Sequence, residues 1–185
     1  MMEFCYAERM ATFTVEDGTG LSDSNSYESV AEFDDYCTTR GMEISQYNDT
    51  DKQRALVKAA EYIDHKPGRR FLGRRSVQTQ ALQFPRVCLP DPEFCGSFIT
   101  GIPTNLKYAQ SEYAYRELVN PGSLIPDPTV SETGLQVQSL VEKVGPIEER
   151  TTFLGSSVKT TKPFPKADAF LRDYVCPEGA RSYRA

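Results

Sequence analysis

Tryptophan is missing from this 185-residue chain, and histidine occurs once, as His65. A single imidazole with no paired nucleophile leaves out the Ser-His and Cys-His arrangements of covalent catalysis. With no second histidine and no Cys-x-x-Cys pair, the common zinc spacings are missing too. Gly18-Thr19-Gly20 is too short for a phosphate-cradling loop and no lysine follows it, and neither GxSxG nor HExxH occurs. These absences argue against an enzyme, and no cofactor and no metal are expected. No apolar run approaches about 18 residues, so no membrane span is expected. Met1–Arg9 lacks the basic start and apolar middle of a signal peptide, which makes the cytoplasm the expected place of action.

Acidic residues are also missing from one long stretch. Between His65 and Pro90 there is no Asp or Glu, but there are six bases: Lys66, Arg69, Arg70, Arg74, Arg75 and Arg86. The residues before it, Met1 to Asp64, carry fourteen acids against five bases, and the whole chain has a net charge of −5. A negative first third followed by a positive patch has two functional readings. The patch meets nucleic-acid phosphate, or the acidic face of one subunit meets the basic face of the next in a head-to-tail ring. A plain solvated turn is the structural alternative.

The five cysteines, Cys5, Cys37, Cys88, Cys95 and Cys176, are odd in number and scattered. Reduced thiols are the expected state; a Cys88–Cys95 loop disulfide, or these two with His65 at a metal, is the alternative. Length allows one domain with a real core. Twelve prolines and an apolar content of 39% point to much irregular connection and to burial completed against partners.

Periodicity predicts a mainly α (α+β) fold: a small bundle of about four helices with a β-hairpin and extended termini. A short extended segment, Thr12–Val15, breaks at Gly18 and Gly20. The first helix is expected near 29–40, because Ser29-Val30-Ala31-Glu32 is a capping box and Gly41 a natural stop. The second, near 51–65, has the apolar stripe Leu56, Ala59, Ala60 and Ile63, and the third, near 103–119, opens on Ile102-Pro103. A fourth follows Phe164-Pro165 over 165–175. The hairpin is expected near 137–153, about the turn dipeptide Gly145-Pro146. Residues 1–9 form an N-terminal extension, 10–175 the domain and 176–185 a C-terminal tail. Between the second and third helices, Phe71, Leu72, Leu82 and Phe84 are buried anchors by type. Gln80 and Gln83 are placed to bond backbone, and Val87 to Ile102 is a long loop.

The order of several short pieces carries a resemblance. Thr12-Phe13-Thr14-Val15-Glu16-Asp17-Gly18-Thr19-Gly20 is followed by Asn25-Ser26-Tyr27-Glu28-Ser29-Val30, then by Gln80-Ala81-Leu82-Gln83-Phe84-Pro85-Arg86, Ile102-Pro103 and Lys143-Val144-Gly145-Pro146-Ile147. Over roughly Met10 to Val175 this resembles the bacteriophage and prophage family labelled DnaT-like single-stranded DNA-binding proteins. That family in turn resembles the head–tail connector adaptors of tailed phages. Phe84 stands where the family pattern has tryptophan, and the loop from Pro85 to Gly101 is long.

The resemblance implies a non-enzymatic virion protein, a connector-adaptor-like homo-oligomer assembled in the host cytoplasm as a ring of twelve copies. The ring lies under the portal protein at the neck, extends the channel for packaged double-stranded DNA, and meets a downstream neck or tail protein. Arg69, Arg70, Arg74, Arg75 and Arg86 are the expected subunit-interface residues, or the DNA-contacting ones. Phe170, Tyr174, Arg181, Tyr183 and Arg184 are the expected portal-docking set. Single-stranded DNA binding in phage replication is the alternative, with Phe71 and Phe84 beside the arginines.

Overall fold

The computed structural model describes residues 12–66, 70–125, 139–144, 147–152 and 163–176. Helix α1 spans Val30–Thr39, α2 Asp49–His65, α3 Thr104–Val119 and α4 Pro165–Leu171, the last running into a 3-10 turn at Arg172–Tyr174. Strands β1 (Arg74–Arg75) and β2 (Arg86–Val87) pair antiparallel, as do β3 (Leu89–Pro90) with β4 (Phe98–Ile99) and β5 (Ser139–Val144) with β6 (Ile147–Thr152). The expected α+β class with four helices and a hairpin is what the chain adopts.

Local chemistry sets the helix limits. The Ser29 hydroxyl accepts the Glu32 N–H while the Glu32 carboxylate accepts the Ser29 N–H at 2.8 Å, so the capping box closes as the sequence predicts. Helix α2 begins two residues earlier than expected because the Asn48 side chain caps it by accepting the Asp51 N–H at 2.9 Å. The fourth helix is shorter than expected. At Val175 the backbone turns extended and bridges to Phe71, with Leu72 N–H donating to Tyr174 O at 2.8 Å and Cys176 N–H to Arg70 O at 2.7 Å. Strand-like pairing there replaces the last helical turn.

The core is one cluster between α2 and α3, with α1 and α4 against it. Leu56, Ala59, Ala60 and Ile63 of α2 meet Leu106, Ala109, Tyr113 and Ala114 of α3, all buried. The small alanines let the two helices approach closely. Phe164 fills the space beside α4, edge-on to Tyr62 and Tyr113 with ring centroids 5.9 and 5.7 Å away. Cys37 is buried on α1, and its thiol is pushed up to about 12, first by burial and then by nearby carboxylates, so it is inert packing.

Polar groups thread this core and are satisfied there. Gln110, fully buried on α3, donates to Ser26 Oγ (2.8 Å) and Leu56 O (2.9 Å) and accepts the Tyr27 N–H (2.9 Å). Ser111 donates to the carboxyl of Glu28 at 2.8 Å, and burial pushes that carboxyl up to about 8. Glu112 accepts from Tyr36 at 2.9 Å and pairs with Lys166 of α4. These three consecutive α3 residues tie the N-terminal segment, α1 and α4 to one helix.

The N-terminal motif is organised by one carboxylate. Glu16, 2% exposed, accepts the N–H groups of Gly18 (3.1 Å), Gly20 (2.8 Å) and Leu21 (3.0 Å), and the Ser24 hydroxyl (2.8 Å). Gly20 lies at φ +87, where a Cβ would come 2.8 Å from a methyl of Val77, so this turn is pressed against the arginine-rich loop. The Ala81 N–H donates to Leu21 O at 2.9 Å across the same seam. Among the described residues the cysteines Cys37, Cys88, Cys95 and Cys176 are free thiols, and no group of three or more His, Cys, Asp or Glu is placed to hold a metal.

Candidate functional site

The arginine-rich stretch leaves α2 and returns to α3 as an ordered double turn. Its first part folds back through β1–β2, with Arg74 opposite Val87 and Arg75 opposite Arg86. Gly73 sits at φ +69, and a Cβ there would lie 2.5 Å from Val87 O, so glycine is required where the chain passes β2.

Side chains, not a sheet, hold the loop between these strands. Gln80, 3% exposed, accepts the Val77 N–H at 2.9 Å and donates to Leu82 O (2.8 Å) and Pro85 O (3.1 Å). Arg75 caps the same turn from outside, donating to the carbonyls of Gln80, Ala81 (3.0 Å) and Leu82 (3.1 Å). Arg86 holds the other side. It donates to Leu72 O (2.7 Å), Gly73 O (2.9 Å), Gln83 O (3.1 Å) and Gln83 Oε1 (3.1 Å). Its guanidinium lies 5.9 Å from the ring centroids of both Phe71 and Phe84. The Phe84–Pro85 peptide is cis.

A carboxylate–phenol pair anchors this corner to the helices. Tyr27 donates to Asp64 Oδ1 at 2.5 Å, and the Gln83 N–H is shared between Asp64 Oδ2 (2.9 Å) and Tyr27 Oη (3.1 Å). Burial raises Asp64 to about 6, against the lowering effect of these hydrogen bonds, and raises the Tyr27 phenol well above its usual value. Nothing in the spacing of Tyr27, Asp64 and Gln83 announces the clamp, because its three parts are brought together only by folding.

The five arginines expected to act together are therefore separated. Arg86 is 9% exposed and its donors are spent on its own chain, so it offers no surface to a neighbour or a phosphate; its role is internal. Arg75 lies at the surface with its donors turned inward on three carbonyls. Arg70 and Arg74 are exposed, and their guanidinium groups have no ion-pair partner among the described residues. Arg69 lies outside the described residues.

The aromatics of the stretch divide in the same way. Phe84 is fully buried, edge-on to Tyr27, Phe71 and Tyr174, and Phe71 is half-buried. Of the expected docking set, Tyr174 is 5% exposed, its ring edge-on to Phe84 beside the extended turn at Val175. Phe170 is half-buried against Tyr108, 5.8 Å between centroids. Arg181, Tyr183 and Arg184 lie outside the described residues, as do the Gly145-Pro146 turn and the N-terminal extension.

The long loop from Val87 to Ile102 is more ordered than its prolines suggested. Strands β3 and β4 close it into a small hairpin, Leu89 opposite Ile99 and Pro90 opposite Phe98. Asp91 Oδ1 accepts the N–H groups of Glu93 (2.9 Å) and Phe94 (3.2 Å), and the Ser97 N–H donates to Phe94 O at 3.0 Å. The aspartate at the start of the turn was the sequence signal for this.

No curated protein and no solved structure matches the chain. A family model does, over residues 11–185, and by that match the chain belongs to the family described as "Putative DnaT-like ssDNA binding protein".

Proposed function

We propose that the chain is a structural adaptor of a tailed-phage neck, a head–tail connector. In this reading twelve copies form a ring beneath the portal protein of the virion. The ring extends the DNA channel used in genome ejection and joins the head to the next neck or tail protein. No catalytic step is assigned to it.

The observation that carries the reading is the inward turn of the basic stretch. Proteins that hold single strands without sequence preference set exposed aromatic faces along a basic groove. Here Phe84 is fully buried, Phe71 half-buried and Arg86 buried, so the aromatic–arginine grouping is spent on the chain's own carbonyls and rings. Arginine carbonyl-capping of this kind builds a rigid surface loop. A second support is the hairpin β5–β6, six residues on each side from Ser139↔Thr152 to Val144↔Ile147. A two-stranded hairpin is marginal by itself and needs a packing layer. A neighbouring subunit would supply the missing layer, and the acid-rich first third beside an acid-free basic stretch suits such packing.

Electron microscopy of the purified chain with and without its portal protein tests this. Rings that dock coaxially on the portal are expected, and removing residues 177–185 should weaken docking while leaving the ring. A chain that stays monomeric alone and with the portal overturns the proposal.

The family's description favours a second reading, single-stranded DNA binding, for which Arg70 and Arg74 remain exposed. A salt titration with an oligo(dT) probe separates the two. Tight binding to a monomer, weakened by Arg74→Ala and falling steeply with salt, is the result that reading requires.

A further inference from the structure

Phe94 and Phe98 are 66% and 59% exposed, the two most exposed aromatic rings among the described residues. They stand on the β3–β4 hairpin, whose turn is fixed by the Asp91 carboxylate and by the Ser97–Phe94 backbone bond. An ordered loop that holds two rings in water is organised for contact, since the cost of ordering is met before the partner arrives. The rim of this knob is acidic: Asp91 and Glu93 flank it, and no Lys or Arg occurs between Arg86 and Lys107. Nucleic acid is repelled by that rim, so the partner is a protein surface that is apolar and basic.

The chain itself carries such a surface. Arg70 and Arg74 are exposed without ion-pair partners among the described residues, and Val87, the ladder partner of Arg74, is 37% exposed. No acid lies between His65 and Pro90. The knob and this strip are joined through residues 86–90, with one loop leaving the start of that segment and the other its end. Strand β4 lies beside β2 within the chain, and Phe94 and Phe98 remain exposed there. Complementary patches at two places on one chain make a contact that repeats from copy to copy.

We propose that the Phe94–Phe98 hairpin of one copy docks on the strip formed by Arg70, Arg74 and Val87 of a second copy. The two phenylalanines cover Val87, and Glu93 and Asp91 meet the arginines. The inference rests on the ring reading above, to which it adds the contacting surfaces.

Sedimentation velocity of the full chain across a concentration series, at low and high salt, tests it. Phe94→Ser with Phe98→Ser, Glu93→Arg alone and Arg74→Glu alone should each weaken self-association at least tenfold. The double variant Glu93→Arg with Arg74→Glu should regain most of it. All of these positions are exposed, so thermal unfolding should match wild type and loss of fold is distinguishable. Assembly unchanged in the phenylalanine variant, or a double variant weaker than either single reversal, overturns this contact and leaves the ring reading standing. A wild-type chain that never self-associates, alone or with portal, overturns both.

Discussion

The helical layer and the loop laid over it are held by opposite means. Between α2 and α3 the contact is apolar and close, and the buried polar groups there, Gln110, Ser111 and Glu112, tie segments far apart in sequence. In residues 70–87 the ladder is two residues long on each side, and long polar side chains do the holding from within the same stretch. Helical hydrogen bonds satisfy their own backbone; a loop must find acceptors and donors elsewhere. Here Gln80, Arg75 and Arg86 take that part. A residue type that reads as a ligand-binding charge in sequence thus serves as a backbone substitute. Each region can be broken in its own way, and the difference should show in stability and its pH dependence.

The largest effect is expected at Arg86. Replacing it by Ala leaves the carbonyls of Leu72, Gly73 and Gln83 without their donor, two of them in a half-buried corner. The loss should be about 3 kcal/mol in urea unfolding, from several charge-assisted bonds at once. Arg86→Lys should recover little, because one ammonium cannot reach the spread of carbonyls a planar fork serves. A change below about 1 kcal/mol would mean that the loop is held by Leu82 and Phe84 packing alone.

Gln80→Ala should cost less, about 2 kcal/mol, since it removes donors to Leu82 O and Pro85 O and the acceptor for Val77 N–H within a single turn. The damage should stay local. Hydrogen exchange should speed up at Val77 and Ala81 and leave α2 and α3 unchanged; uniform loss of protection would erase the proposed division between the regions.

How much of this was legible in the sequence follows the same division. The helices were, because the capping box at Ser29 and the stripe Leu56–Ile63 are local patterns with a period. Leu82 and Phe84 as anchors, and Gln80 as a backbone-bonding side chain, followed from residue type. The fate of Arg86 did not. A guanidinium bonding carbonyls and one bonding a partner carry the same letter, and only the path of residues 71–73 decides which occurs. The end of the fourth helix was misplaced for a related reason, since the helix was continued through a segment that turns extended to pair with Phe71. The clamp of Tyr27, Asp64 and Gln83 was invisible because its members are non-local.

The helical layer responds to pH through Glu28. Its carboxyl is held near 8 in the fold by burial, against an ordinary value of 4.5. Below pH about 4.5 it is protonated in both states and costs nothing. As pH rises from there to 8 the unfolded chain releases its proton while the folded one retains it, so stability falls across that window and levels off above it. Glu28→Gln keeps an acceptor for Ser111 and removes the titration. It should stabilise the protein by roughly 1–2 kcal/mol at pH 8, discounted for relaxation of the site, and be near neutral at pH 4.5. Equal slopes of stability against pH in the two proteins would place the titrating group elsewhere.

Arg74→Ala should do the least to the fold. Its neighbour in the ladder is the exposed Val87, its guanidinium has no ion-pair partner among the described residues, and its backbone pairing survives the change. Unfolding should shift by no more than about 0.5 kcal/mol, the usual range for such a surface site. Arg86 and Arg74 then differ about sixfold in cost although they lie one ladder rung apart. That contrast is what makes Arg74 useful: with stability held constant, any change it produces in self-association or in DNA binding reports on the surface itself. A loss of stability comparable to that of Arg86→Ala would show that Arg74 is also a structural brace, and would remove it from both functional readings.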